Sequence, residues 1–408
     1  MDLKKPSWDS RVDYSLILPV FFLLLIGLVA VYIAVSHDYP ARALNIVILQ
    51  GVWILVGIVF AFVVMFFNKK FLWKATPFLY FLGLGMMFLP LFYYSSSLVA
   101  ATGAKNWVTL NGQTLFQPSE FMKISYILMM AYVVVRFHEK HLEASLWSDM
   151  VLLLQLLTVT FPVLALLYFQ SDLGTSLVFV AIFSGIVLLS GISWRIILPV
   201  VLVVSLAVIA FMLIFISPNG KEILHNVGID TYQLNRISAW LDPFENAQTT
   251  TFQQAQSLIA IGSGGLMGQG FNMTNLHVPV RESDMIFTVI GEDFGFIGGL
   301  VVISLYMLLI YRMIRVTIAS NNRFYTFIST GFIMMILFHV FENIGAATGI
   351  LPLTGIPLPF ISQGGSSIIS NLIGVGLVLS MSYQNSLLQE KRQQGFQRKH
   401  RFIIETID

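Results

Sequence analysis

Hydrophobic residues fall in long unbroken runs along this chain rather than in amphipathic stripes. Ten runs of about 18–25 apolar residues, each long enough to cross a bilayer core as a helix, predict spans near Tyr14–Ser36, Asn45–Phe67, Thr76–Tyr93, Ser119–Phe137, Met150–Phe169, Asp172–Gly191, Arg195–Ser217, Met285–Tyr311, Tyr325–Ala347 and Ser366–Tyr383. Only Gln170-Ser171-Asp172 separates the fifth from the sixth, which predicts a tight helical hairpin. One long polar stretch, Pro218 to Asp284, interrupts the pattern between the seventh and eighth runs. Inside it Leu234, Ile237, Trp240 and Leu241 share one helical face and Gln233 and Arg236 the other, the pattern of a helix lying in a membrane interface. Loops of such length are as a rule functional or disordered, and this composition is not that of disorder.

Charge supplies the orientation. Lys4, Lys5, Arg11, Lys69, Lys70, Lys74, Arg136, Lys140, Arg195, Arg312, Arg315, Arg323, Lys391, Arg392, Arg398, Lys399 and Arg401 all fall on one side of the expected layer. Arg42, Lys105, Lys123, Lys221, Arg236 and Arg281 do not. By the positive-inside rule both termini are expected in the cytoplasm, with the insert and the Ser95–Pro118 and Thr348–Gly365 loops outside. The expected fold is therefore all-α: a polytopic integral membrane protein of about ten transmembrane helices, one domain over residues 1–408, with a single large extracellular insert (218–284) between helices 7 and 8. Composition agrees, since 56% of residues are hydrophobic and 11% charged, which excludes a soluble globular balance. The chain has no cysteine, which excludes disulfides and thiolate chemistry. The first run is too long for a signal segment and reads as a retained span. No internal repeat is visible. Basic residues track topology rather than a patch, so no nucleic-acid partner is expected. The glycines of Gly262–Gly270 lack the third glycine of a dinucleotide fingerprint, Met267 standing there, and read as a turn under the insert.

Ionisable residues inside spans cost about 2.5–3.5 kcal/mol each on insertion scales and so ask for a partner or a wet cavity. Glu120 and Lys123 are spaced i, i+3 on one helix face, either as a structural ion pair or as a cavity wall in which Lys123 meets an anion. Asp172 opens the sixth span, where an acid also caps the helix. Asp284, Thr288, Gly291, Glu292, Gly295 and Gly299 recur at helical spacing on the eighth, with Asp284 at its rim beside Arg281. His339, Glu342 and Asn343 form a comparable stripe that reads as a satisfied polar network. The uncharged Gly- and Pro-rich loop from Gly345 to Ser367 is tolerable at membrane depth only if protein surrounds it, and so reads as re-entrant.

Taken together, Gly103-Ala104-Lys105-Asn106-Trp107, Gln117-Pro118-Ser119-Glu120-x-x-Lys123, Gln170-x-Asp172-Leu173-Gly174-Thr175, Tyr232-Gln233-x-x-Arg236, Ala260-Ile261-Gly262-Ser263-Gly264-Gly265, Asp284-x-Ile286-Phe287 and the Pro352–Ser367 loop resemble the SEDS family of bacterial envelope proteins, the RodA/FtsW type. Compact length, short termini and the Asp13-Tyr14 start look more like RodA. Two departures stand out: Asn106 where many members carry arginine, and Glu282-Ser283 where many carry His-Thr. The resemblance implies a peptidoglycan glycosyltransferase of the bacterial cytoplasmic membrane that polymerises lipid II at the outer face during elongation, with inversion and beside a class B penicillin-binding protein. It makes Asp284 the catalytic base. Lys123 is then the first candidate to contact the pyrophosphate, followed by Arg236 and Arg281, with Glu120, Lys105, Trp107, Asp172, Gln363 and Ser366 around the substrate. A divalent cation, Mg or Mn, could assist, but no ligand cluster demands one. The competing readings are a flippase for the same precursor, which would show related halves, and a non-enzymatic scaffold for the penicillin-binding protein.

Overall fold

The computed structural model describes residues 11–407 apart from 111, 142–144, 230, 246–250, 272, 274 and 275, and only the backbone of 100–102, 232 and 391–407. Asp13 starts the bundle. Its Oδ1 accepts the N–H groups of Ser15 and Leu16 at 3.0 and 3.2 Å, capping α1 (Tyr14–Asp38). Next come α2 (Ala43–Met65), α3 (Lys69–Met87) with its one-turn extension α4 (Leu89–Phe92), and α5 (Ser96–Thr102). A small antiparallel ribbon, β1 (Val108–Leu110) with β2 (Gln113–Phe116), leads into α6 (Pro118–Lys140). The long helices α7 (Leu146–Phe169), α8 (Leu173–Leu189) and α9 (Trp194–Ile216) follow. Within the polar insert lie α10 (Gly220–Asn226), α11 (Thr231–Leu241) and α12 (Phe252–Ser263). The chain then runs through α13 (Ile286–Asp293), α14 (Gly295–Ser320), α15 (Arg323–Ala347) and α16 (Gly365–Ile407).

Among the described residues nine helices, α3 and α4 counted as one, are long and apolar enough to cross a membrane. The sixth predicted run, α8, is 17 residues, about 25 Å of helix. It packs between α7 and α15. The protein is an all-α, multi-pass membrane protein. In an apolar 18-residue stretch of each helix, 67% of residues are buried in α6 and in the Gly365–Glu390 part of α16 but only 6% in α9, so the first two form the centre and α9 stands at the edge.

The eighth run is not one helix. It breaks at Phe294, because Gly295 takes φ +63°. The expected stripe Gly291–Gly295–Gly299 is therefore discontinuous. A break within a span would orphan backbone groups that lipid cannot satisfy. The glycine-rich segment after α12 satisfies them. Gln269 and Gly270 N–H donate to the carbonyls of Glu292 and Asp293 at 2.9 and 3.2 Å, while Phe296 and Ile297 N–H donate to those of Gly265 and Leu266 at 2.9 and 3.2 Å. Gly268 (φ +83°) comes so close that an added Cβ would stand 2.1 Å from the Asp293 carbonyl oxygen. The segment expected as a simple turn is thus the other half of the helix break.

The insert helices dock on protein rather than lying free. Leu234 is buried against Phe215 and Leu224, and the Trp240 indole N–H donates to the Gly349 carbonyl at 3.2 Å. Leu241, expected on the same face, is exposed. The apolar face of α11 is therefore narrower than its sequence pattern and sits on neighbouring helices. Gln254 and Ser257 of α12 donate to the carbonyls of Ala346 and Ala347 at 2.6 and 2.8 Å, supplying partners for the open end of α15.

The last loop is enclosed, as its composition requires. Ile356, Leu358, Phe360 and Ile361 are buried, and the Tyr306 hydroxyl donates to the Pro359 carbonyl. Gln50 clamps its far end, donating to the Ser362 carbonyl at 3.1 Å and accepting the Gly364 N–H at 3.2 Å. From there α16 runs for 43 residues, well beyond the expected span, and Arg11 pairs with Glu390 through two contacts of 3.0 and 2.8 Å.

Candidate functional site

Pro118 begins α6 where its missing N–H costs nothing, and one turn later Glu120 and Lys123 meet. The Lys123 ammonium lies 3.0 and 2.9 Å from the two carboxylate oxygens and 3.1 Å from His339 Nε2 on α15. His339 Nδ1 faces the Met335 carbonyl at 2.7 Å. A carbonyl only accepts, so Nδ1 carries a proton and Nε2 is the acceptor for Lys123. All three side chains are buried.

One turn further along α15 the same stripe reaches Asp284. Asn343 Nδ2 donates to the backbone carbonyls of Asp284 and Ile356 at 2.7 and 2.8 Å. Glu342 accepts the Thr354 N–H at 3.0 Å and the Thr354 hydroxyl. The loop carrying Gly355 is thereby fixed beside Asp284. An added Cβ at Gly355 would stand 3.3 Å from Asp284 Oδ2 and 3.6 Å from the Arg236 guanidinium, so this glycine packs closely against both acid and cation. Asp284 precedes α13 and lies outside every span. Burial pushes its carboxyl up to about 6, against the hydrogen bond from the Ser283 hydroxyl (2.9 Å) and the charge of Arg236; Glu282 and Asp172 add to the rise. Burial also raises Glu282.

Asp172 caps α8, accepting the Thr175 N–H at 3.0 Å and its hydroxyl at 2.8 Å. It also accepts from Asn106 at 2.8 Å and Gln117 at 3.4 Å, so the Asn106 departure gives Asp172 a neutral donor. Gln117 N–H reaches the Ser366 hydroxyl at 3.4 Å, and Gln363 N–H donates to the Glu282 carbonyl at 2.9 Å. The Lys105 ammonium sits 4.9 Å from the centre of the Tyr94 ring, and Trp107 is partly buried beside it in sequence.

Arg281 differs from expectation. It turns away from Asp284, its Nε 3.3 Å from Asp38 Oδ2 and its Nη1 3.7 Å from Glu292 Oε2. The cation facing Asp284 is Arg236, contributed by α11. Sequence reasoning gave Asn343 to a polar network without linking it to Asp284, and missed Gly355 and Asp38 entirely. The Asn343 link joins residues 59 apart, which no local spacing reveals. Among the described residues no three His, Asp or Glu side chains converge where they could hold a metal ion.

A family profile described as "Cell cycle protein" and covering FtsW, RodA and SpoVE matches residues 14–387. A relative from Geobacter metallireducens named probable peptidoglycan glycosyltransferase FtsW is 32% identical, over 91% of this chain and 95% of its own. Peptidoglycan glycosyltransferase MrdB of Escherichia coli is 35% identical over 71% of this chain and 73% of its own. In a solved peptidoglycan synthase complex, described as coordinating polymerisation and crosslinking, one chain superposes with a TM-score of 0.72 at 26% identity, covering 92% of this chain and 98% of that one. The crystal structure of the rod shape determining protein RodA of Thermus thermophilus superposes with a TM-score of 0.61 at 26% identity, with the same coverage.

Proposed function

The chain belongs to the FtsW/RodA/SpoVE family and is a peptidoglycan glycosyltransferase, and from that premise we propose that it polymerises lipid II at the outer face of the bacterial cytoplasmic membrane, with Asp284 as general base. The observation that carries the reading is the placement of Asp284. It is a partly buried residue at the junction of insert and helix, held by Asn343 through its backbone, with Gly355 packed close to both its carboxylate and the Arg236 guanidinium.

In the reaction a sugar hydroxyl attacks the anomeric carbon of the lipid-linked sugar. The bond from that carbon to the pyrophosphate oxygen breaks with inversion, and the hydroxyl proton passes to Asp284. A carboxylate with a pKa near 6 is ionised at neutral pH yet basic enough to take the proton. Charge develops on the departing pyrophosphate, where positioned cations give the greatest help. Arg236 moves ahead of Lys123 for that task, since Lys123 is 3% exposed and already paired with Glu120 and His339. We give Lys123, Glu120 and His339 the role of bracing α6 against α15. No step of this mechanism is routed through Mg or Mn.

The partner in this reading is a class B penicillin-binding protein, consistent with a neighbour that is part of a synthase complex. The elongation role rests on likeness to RodA, and cytoplasmic termini rest on the distribution of Lys and Arg. The test is polymerisation of lipid II by the purified protein with and without such a partner. Glycan chains that lengthen severalfold faster with the partner support the reading, and no polymer under either condition overturns it.

A further inference from the structure

Four residues before Asp284 the backbone passes through Val280 with φ +56°. A β-branched residue occupies that region only under strain. The Val280 carbonyl nevertheless accepts the N–H groups of Ser283 and Met285 at 3.1 and 3.4 Å, so the turn that presents Asp284 is wound around this strained residue. Such a turn persists only if its surroundings hold it.

The hold comes from Arg281, whose side chain is 4% exposed. Its Nε lies 3.3 Å from Asp38 Oδ2, its Nη1 lies 3.7 Å from Glu292 Oε2, and the same nitrogen donates to the Leu276 carbonyl at 3.4 Å. Asp38 is the last residue of α1 and also 4% exposed; its Oδ1 meets His37 Nδ1 at 2.9 Å and His277 Nδ1 at 3.2 Å. One guanidinium thus joins the end of α1, the end of α13 and both sides of the turn. Only the contact to Leu276 is a hydrogen bond, and the two carboxylates hold the guanidinium by charge, Nε itself having no hydrogen-bond acceptor. Removing one member of a desolvated ion pair leaves the other uncompensated, which is strongly disruptive.

We propose that Asp38, acting through Arg281, is a positioning residue for the Asp284 carboxylate. The pair fixes the 276–285 turn so that Asp284 faces Arg236, and neither residue handles the substrate. This rests on the reading of Asp284 as the base.

The experiment compares Asp38→Asn, Arg281→Gln, their double variant and Asp38→Glu in the full chain, reconstituted with its partner and supplied with lipid II. The chain has no cysteine, so Glu282→Cys in each background gives a single reporter of how far the turn opens to a water-soluble maleimide. Each single change lowers kcat about 10²-fold, the order expected for a misplacement of about 1 Å, with KM near wild type. The double variant loses little more than either single. Asp38→Glu recovers part of the rate, and reporter labelling accelerates as kcat falls. If Asp38→Asn does not accumulate, Asp38→Glu is read in its place: an intermediate rate with intermediate labelling supports the pair. Wild-type kcat together with the parent labelling rate overturns the proposal. Faster labelling at unchanged kcat overturns it too, through the assignment of Asp284, and Asp284→Asn then distinguishes that failure from a failure of the pair.

Discussion

Lys123 has two partners, and the second changes what its loss does. The i, i+3 pairing with Glu120 is legible in the sequence, whereas His339 lies 216 residues away and only the fold delivers it. Removing one member of a buried pair costs about 3–5 kcal/mol, because a charge is left without compensation. Glu120→Gln and Lys123→Met are therefore expected to lose stability and activity individually, with the double variant costing much less than the sum in a cycle of thermal melts and rate assays. Additive losses would show that the two work separately. In the proposed mechanism the ionised form of Asp284 is the active one. With its carboxyl raised to about 6, kcat should climb as pH rises through about 6 and level off above. Arg236 lowers that value by its charge, so Arg236→Gln should move the rise to higher pH, as read from the pH dependence of kcat. An unmoved limb would separate Arg236 from the base.

Helix existence follows from apolar run length, which is why nine of the ten predicted runs match long apolar helices and the tenth a shorter one. The break between α13 and α14 does not follow from it. Apart from Glu292 and Asp293 the run from Ile286 onward is apolar on both sides of Gly295, and the backbone groups freed at Gly295 are satisfied by a glycine segment from earlier in the chain. That segment was visible as glycines but not as a partner. Gly268→Ala should destabilise the purified protein by roughly 1–3 kcal/mol or more, since the residue has positive φ and no room beside the Asp293 carbonyl. Gly262→Ala, with nothing within 4 Å of the added carbon, is the control and should be neutral or slightly stabilising. Equal melting temperatures for the two variants in detergent would contradict this account of the break. In α11 the sequence pattern located the amphipathic helix, but not that a carbonyl of the last loop and the helices beneath would receive it.

At the scale of the whole molecule, the hydrophobic pattern revealed the all-α membrane fold, while the convergence of α11, the α12–α13 turn, α15 and the last loop on one site required three dimensions. Asp284, Asn343, Gly355 and Arg236 lie on four separate segments. Orientation follows from charge alone, and it makes a prediction. Single cysteines placed near Lys221 and His225 should react with an impermeant thiol reagent in intact cells, and those near Arg315 and Lys391 should not. The opposite pattern would put the site on the wrong face for a lipid II polymerase. The central claim is that the carboxylate of Asp284 takes the proton in glycan polymerisation. An asparagine retains the size of the side chain and an oxygen that can accept from Ser283 but cannot act as the base. The most direct measurement is lipid II polymerisation by purified Asp284→Asn protein, with partner binding and melting temperature confirmed as wild type. A rate lower by about 10²–10⁴-fold is the expected result, and polymerisation near the wild-type rate would contradict the claim.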